Sequence, residues 1–122
     1  MPKLSFFVAG KPVPKARPRV MPNGHTYTPA RTVAWEQTVG WTAKAAMFGR
    51  KPFQGPLSVS LGFNGARANA DSDNLAKAVL DGMNRVVYDD DSQVMRLFVD
   101  RMPANDPYGP VRAGVHVQVS DA

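Results

Sequence analysis

Apolar and polar positions alternate with two different periods along this chain, and the changes of period set out its elements. In "KLSFFVA", Leu4, Phe6 and Val8 alternate with Ser5, Phe7 and Ala9, which predicts a strand with apolar groups on both faces. "PLSVSLGFNG" alternates more cleanly: Leu57, Val59, Leu61 and Phe63 share one side of a half-buried strand. "VMRLFVDRM" and "VRAGVHVQV" predict two final strands. In the second, Val111, Ala113, Val115, Val117 and Val119 alternate with Arg112, His116 and Gln118. "PANDPYGP" between them has turn chemistry and predicts a hairpin.

Two segments carry the helical period instead. "TPARTVAWEQTVGWTAKAAMFGRKPF" predicts a helix capped by Thr28, with Pro29 at its first position and Gly49 as its stop. Trp35, Val39, Thr42 and Ala46 form one stripe; Ala34, Trp41, Ala45 and Phe48 form another. Such a surface can pack on a sheet and also meet a partner subunit, although a wide core-facing helix gives the same pattern. "DNLAKAVLDGMNRVV" predicts a second helix with Leu75, Val79, Met83 and Val86 on its apolar side. The order β-α-β-α-β-β implies an α+β fold, a small mixed β-sheet with two helices packed on it, in one domain over 1–122.

One stretch fits neither period. In "GKPVPKARPRVMPNGHTY", Pro12, Pro14, Pro18 and Pro22 exclude a regular helix and weaken any strand. This predicts an exposed basic loop over about residues 10–27 carrying Lys11, Lys15, Arg17 and Arg19. It is either a solvated linker or an arm that clamps phosphates.

Charge favours the arm. The 122-residue chain has a net charge of +5, very unevenly spread. The first 70 residues hold ten Lys and Arg and a single acid, Glu36; nine acids and five Lys and Arg follow. A polyanionic partner and a separate acidic site are both implied. With no cysteine, disulfides and thiolate metal sites are excluded. No secretory signal or membrane-length apolar run is visible, which suits the cytoplasm.

Six of those nine acids fall between Asp71 and Asp91. "DSDN" just before a helix is an ordinary capping sequence. An EF-hand loop beginning at Asp71 fails at Leu75, Ala76 and Gly82. "YDDDSQV", however, lies directly between apolar segments, where adjacent carboxylates are costly without cations. An oxygen-only donor set points to Mg²⁺ or Mn²⁺ rather than zinc. Asn74 and Lys77 share a helix face, and Lys77 follows Asp73 by four residues. Asp-x-Asp-Asn, a nearby lysine and a later Asp run together fit metal-assisted phosphodiester hydrolysis. If the Asp run is extended, Asp89, Asp91 and Gln93 point one way and Asp90 the other.

"DSDNLAKAVLDGMNRVVYDDDSQV" resembles the signature of the RusA-type Holliday junction resolvases: Asp-x-Asp-Asn, a Lys three positions on, then Asp-Asp-x-Gln-Val. "KPVPKARPR" and "YTP" are also similar to members of that family. The resemblance implies a homodimeric, metal-dependent endonuclease acting on four-way DNA junctions in recombination and repair, bacterial or phage-encoded. It places Asp71, Asp73 and Asp91 as catalytic ligands of Mg²⁺ (or Mn²⁺), with Asp90 as a candidate further ligand, and Lys77 as the catalytic basic residue, stabilising charge on the phosphate or transition state or orienting the water. Lys11, Lys15, Arg17, Arg19 and Asn74 are the candidate DNA contacts. A non-catalytic DNA-binding module, and a nuclease for other branched DNA, are the competing readings. His25, His116, Trp35, Trp41, Arg50 and Lys51 are read as ordinary surface or packing residues, with Tyr27 and Thr28 bordering the cleft by the same resemblance.

Overall fold

The computed structural model describes residues 2–16, 19–102 and 112–122. Its centre is a four-stranded mixed sheet in the order β1-β6-β4-β5, built from β1 (Leu4–Ala9), β4 (Leu57–Asn64), β5 (Val94–Met102) and β6 (Gly114–Asp121). A two-stranded hairpin, β2 (Arg19–Val20) with β3 (Thr26–Tyr27), stands apart. The helices are α1 (Ala30–Met47) and α2 (Ser72–Met83). The α+β architecture with two helices on a mixed sheet therefore holds. Among the described residues no helix is long and apolar enough to cross a membrane.

The alternating apolar faces become the core. Leu57, Val59, Leu61 and Phe63 are buried on β4, as are Val115, Val117 and Val119 on β6 and Leu4 and Val8 on β1. From the helices come Trp35, Val39, Ala43 and Met47 of α1 and Leu75, Val79 and Met83 of α2. Of the two stripes foreseen on α1, the first turns inward through Trp35 and Val39. The second stays in solvent: Trp41 is 71% exposed and Phe48 92%.

Three expectations need correcting. The last two strands do not pair as a hairpin; β4 lies between them, parallel to β5 and antiparallel to β6. Turn chemistry dictates a reversal, not a neighbour. The fully buried valines of β6 require a strand on each side, whereas β5, with exposed Arg96 and Asp100, suits an edge. The connecting residues 103–111 lie outside the described residues. Second, α1 begins at Ala30 with Pro29 in the cap position, and no side chain caps it; Thr28 is not the cap. Third, the proline-rich stretch is not uniformly exposed. Pro12 is buried, Val13 packs on the core, and the Lys15 N–H donates to the Asn74 carbonyl at 2.8 Å. Prolines remove donors but not apolar surface, so residues 12–16 dock. The β2–β3 hairpin beyond them turns through His25, whose N–H donates to the Asn23 side chain at 3.1 Å.

Close packing of α1 on α2 depends on glycine. A Cβ on Gly82 would lie 2.8 Å from both the Glu36 carbonyl oxygen and the Val39 Cβ. One on Gly40 would lie 3.0 Å from the Gly82 carbonyl oxygen. Gly82→Ala must push the helices apart. We expect it to cost about 1–3 kcal/mol, as overpacking does, measured by denaturant unfolding; an unchanged midpoint would contradict this packing.

Candidate active site

Asp73 and Asp81 share one face of α2, and Asp71 stands at its start. Asp71 occupies the cap position of this helix, yet its side chain makes no capping hydrogen bond. Instead its Oδ2 accepts the Asn74 side-chain amide at 3.3 Å. The capping explanation of "DSDN" thus leaves the Asp71 carboxylate unspent. Asp73, Lys77 and Asp81 follow at four-residue intervals and so share a stripe. Asp71, Asp73 and Asn74 are exposed.

Lys77 joins this stripe to the Asp run. Its ammonium lies 2.9 Å from Asp81 Oδ1 and 2.9 Å from Asp91 Oδ2. Hydrogen bonds to Asp81 first, and then to Asp91, raise its pKa well above the ordinary lysine value. Both contacts favour the charged ammonium, a form suited to stabilising anionic charge.

The Asp run is not extended throughout, so the alternation that an extended run would have given does not apply. Asp91–Gln93 forms a 3-10 turn closed by a capping box between Asp90 and Gln93. Gln93 Oε1 accepts the N–H groups of Asp89 and Asp90 at 2.9 and 3.2 Å. Its amide donates to the Phe53 and Gly55 carbonyls at 2.9 and 3.1 Å. The three carboxylates consequently diverge. Asp89 accepts from Gln54 at 3.0 Å. Asp90 accepts the Ser92 hydroxyl at 2.8 Å, and that bond is the main reason its pKa is lowered. Asp91 faces Lys77. Behind them Tyr88 is fully buried and donates to the Leu80 carbonyl at 2.7 Å; burial first, then the negative charge of Asp91, Asp81 and Asp90, pushes its pKa up.

On the far side of Asp81 lies Lys15, 3.1 Å from Asp81 Oδ2 and 2.6 Å from Glu36 Oε1. Burial opposes its charge, but the hydrogen bonds to Glu36 and Asp81 outweigh it, so its pKa too is raised. Lys15 was expected among the DNA contacts and is found turned into the protein. Lys11 is exposed; Arg17 and the side chain of Arg19 lie outside the described residues.

Sequence reasoning gave no role to four residues of this region. Glu36 and Asp81 flank Lys15. Gln93 builds the turn that aims Asp91. Arg101 on β5 donates to the Ala70 and Arg67 carbonyls at 2.6 and 2.9 Å and to Ser72 Oγ at 3.3 Å, pinning the turn that leads into Asp71. Two signals were available: Asp81 sits four residues after Lys77, and Glu36 is the lone acid in a basic half. Nothing in the sequence singles out Arg101.

The donor types suit a hard divalent cation, because Asp71, Asp73 and Asp91 offer only carboxylate oxygens. Among the described residues, no three His, Cys, Asp or Glu side chains already stand close enough together to hold one. A search of curated proteins returned no match. A scan against protein families matched residues 9–120 to the family described as Endodeoxyribonuclease RusA. That span takes in the docked proline-rich segment, both helices and the whole Asp–Lys stripe, and the chain belongs to the RusA family of endodeoxyribonucleases.

Proposed function

We propose that this endodeoxyribonuclease resolves four-way DNA junctions by metal-dependent hydrolysis of phosphodiester bonds, in recombination and repair. The observation that carries this reading is the double contact of Lys77, which brings Asp91 onto the helix face that also bears Asp73. Asp71, Asp73 and Asp91 would hold Mg²⁺ or Mn²⁺, with Asp90 beside them. A bound divalent ion supplies an acidified water and neutralises charge on the phosphate. Lys77 contributes its ammonium for the negative charge that builds on the scissile group. Asn74 orients Asp71 through its side-chain amide, and Gln93 keeps Asp91 turned toward Lys77. Lys11, Arg17 and Arg19 supply phosphate contacts from the basic arm. The protein acts in the cytoplasm of a bacterium or of a phage-infected cell.

A junction presents two equivalent strands, so two copies related by a two-fold axis suit the task. The open edge of the sheet supports a homodimer. Strand β5 ends the sheet and leaves Met95, Phe98 and Met102 exposed. Arg96 and Asp100 lie two residues either side of Phe98 on the same sheet face. Two β5 strands meeting antiparallel about Phe98 would set each Arg96 opposite Asp100 of the other copy.

Cutting of a four-way junction stops in excess EDTA, and Asp71→Asn or Asp73→Asn abolishes cutting while junction binding survives. Single Asn substitutions along the run damage the rate in the order Asp91, Asp90, Asp89. Equal cutting in EDTA, or a fully active Asp91→Asn protein, overturns the assignment. For the dimer, sedimentation should show a two-subunit species that Arg96→Asp splits and that Arg96→Asp with Asp100→Arg restores. A wild-type monomer that still makes paired nicks contradicts it.

A further inference from the structure

Five charged groups alternate in sign across the site: Glu36, Lys15, Asp81, Lys77 and Asp91, each within 3.1 Å of the next. Asp81 is the middle member. Its two oxygens serve different lysines, Oδ1 to Lys77 and Oδ2 to Lys15, and its side chain is only 18% exposed. We propose that Asp81 is the positioning residue for Lys77, and that Lys15, braced by Glu36, holds Asp81 in turn, so that the proline-rich segment is part of the catalytic scaffold. The proposal rests on Lys77 belonging to the catalytic set.

The need for a positioning group comes from lysine itself. Its ammonium rides on a flexible four-carbon stem, and the Lys77 side chain is half exposed at 51%. Asp91 alone cannot fix it, because Asp91 is also assigned as a ligand and its hold on the ammonium weakens when it serves as one. Asp81 has no such second duty. It stands one turn further along the same helix, on backbone locked against α1 by the Gly82 contact.

Asp81 needs its own support. The contact of Gly82 with the backbone of Glu36 brings two carboxylates to the same helix crossing. Like charges there repel unless a cation lies between them, and Lys15 does, at 2.6 and 3.1 Å. Lys15 does not reach in from a loose arm. Its own N–H is bonded to Asn74, the adjacent Pro14 carbonyl accepts the Thr32 hydroxyl at 3.5 Å, and Val13 is packed on the core. A phosphate contact from Lys15 would have to break two short ion pairs.

Single-turnover cleavage of a four-way DNA junction at saturating Mg²⁺, with junction affinity measured separately without divalent metal, tests this. Asp81→Asn should slow cleavage roughly ten- to a hundredfold, the scale of a misplaced catalytic group, and leave affinity unchanged. In a Lys77→Ala background the same substitution should add little, since both act through one ammonium. Lys15→Met should also slow cleavage, without altering affinity or its salt slope. Asp81→Asn cutting at the wild-type rate, or losing the same factor in the Lys77→Ala background, overturns the positioning role. Lys15→Met that weakens binding, flattens the salt slope and keeps the cleavage rate makes Lys15 a phosphate contact and removes the arm from the scaffold. If Lys77→Ala itself cuts normally, the catalytic assignment fails and the positioning role with it, an outcome distinct from failure of Asp81→Asn alone. Melting curves check folding; should Asp81→Asn not fold, Lys15→Met decides, and an unchanged cleavage rate there is the overturning result.

Discussion

The ammonium of Lys77, held at 2.9 Å from Asp81 and at 2.9 Å from Asp91, is the contact on which the rest of the site depends. It joins α2 to the turn that starts β5, two elements with no covalent reason to stay in register at their surface. A lone exposed ion pair of this kind contributes little to stability. Its importance is geometric. It sits within an alternating network in which Glu36, Lys15 and Asp81 are largely shielded from solvent, and such networks are stronger and stiffer than separate pairs. The surrounding packing serves that geometry: glycine lets the helices close, Gln93 folds the Asp run back, and Arg101 fixes the entry to α2.

This arrangement explains why charge is so unevenly distributed along the chain. On the proposed assignment the acids are concentrated where phosphodiester chemistry needs oxygen donors, and Lys15 and Lys77 beside them are paired with carboxylates. Lys15 and Lys77 are structural partners of carboxylates before they are anything to DNA. The remaining basic excess, including exposed Lys11, is what a polyanion would meet first. A basic excess of this kind lets one protein attract DNA although its second half is acidic.

Much of the fold was legible because it depends on local period. The alternation of Leu57 to Phe63 and the stripe Leu75, Val79, Met83 each report burial directly. The position of β4 between β5 and β6 was not legible, since lateral strand order is a property of the whole sheet. The site divides in the same way. Asp71, Asp73, Lys77 and Asp91 stand in a recognisable sequence pattern. Glu36 and Lys15 reach Asp81 only through the helix crossing and the docked prolines, and those long-range contacts have no signature in spacing. The 3-10 turn at Asp91–Gln93 was not legible, because the Gln93 side chain, not backbone propensity, closes it.

The most direct test of the account is the position of a metal ion. Crystals of the protein soaked in Mn²⁺ would report it through anomalous scattering. A peak is expected within coordination distance of carboxylate oxygens from Asp71, Asp73 and Asp91, with Lys77 still against Asp81. Manganese bound elsewhere, with these three carboxylates free of it, would contradict the assignment of this site as the metal-dependent nuclease centre.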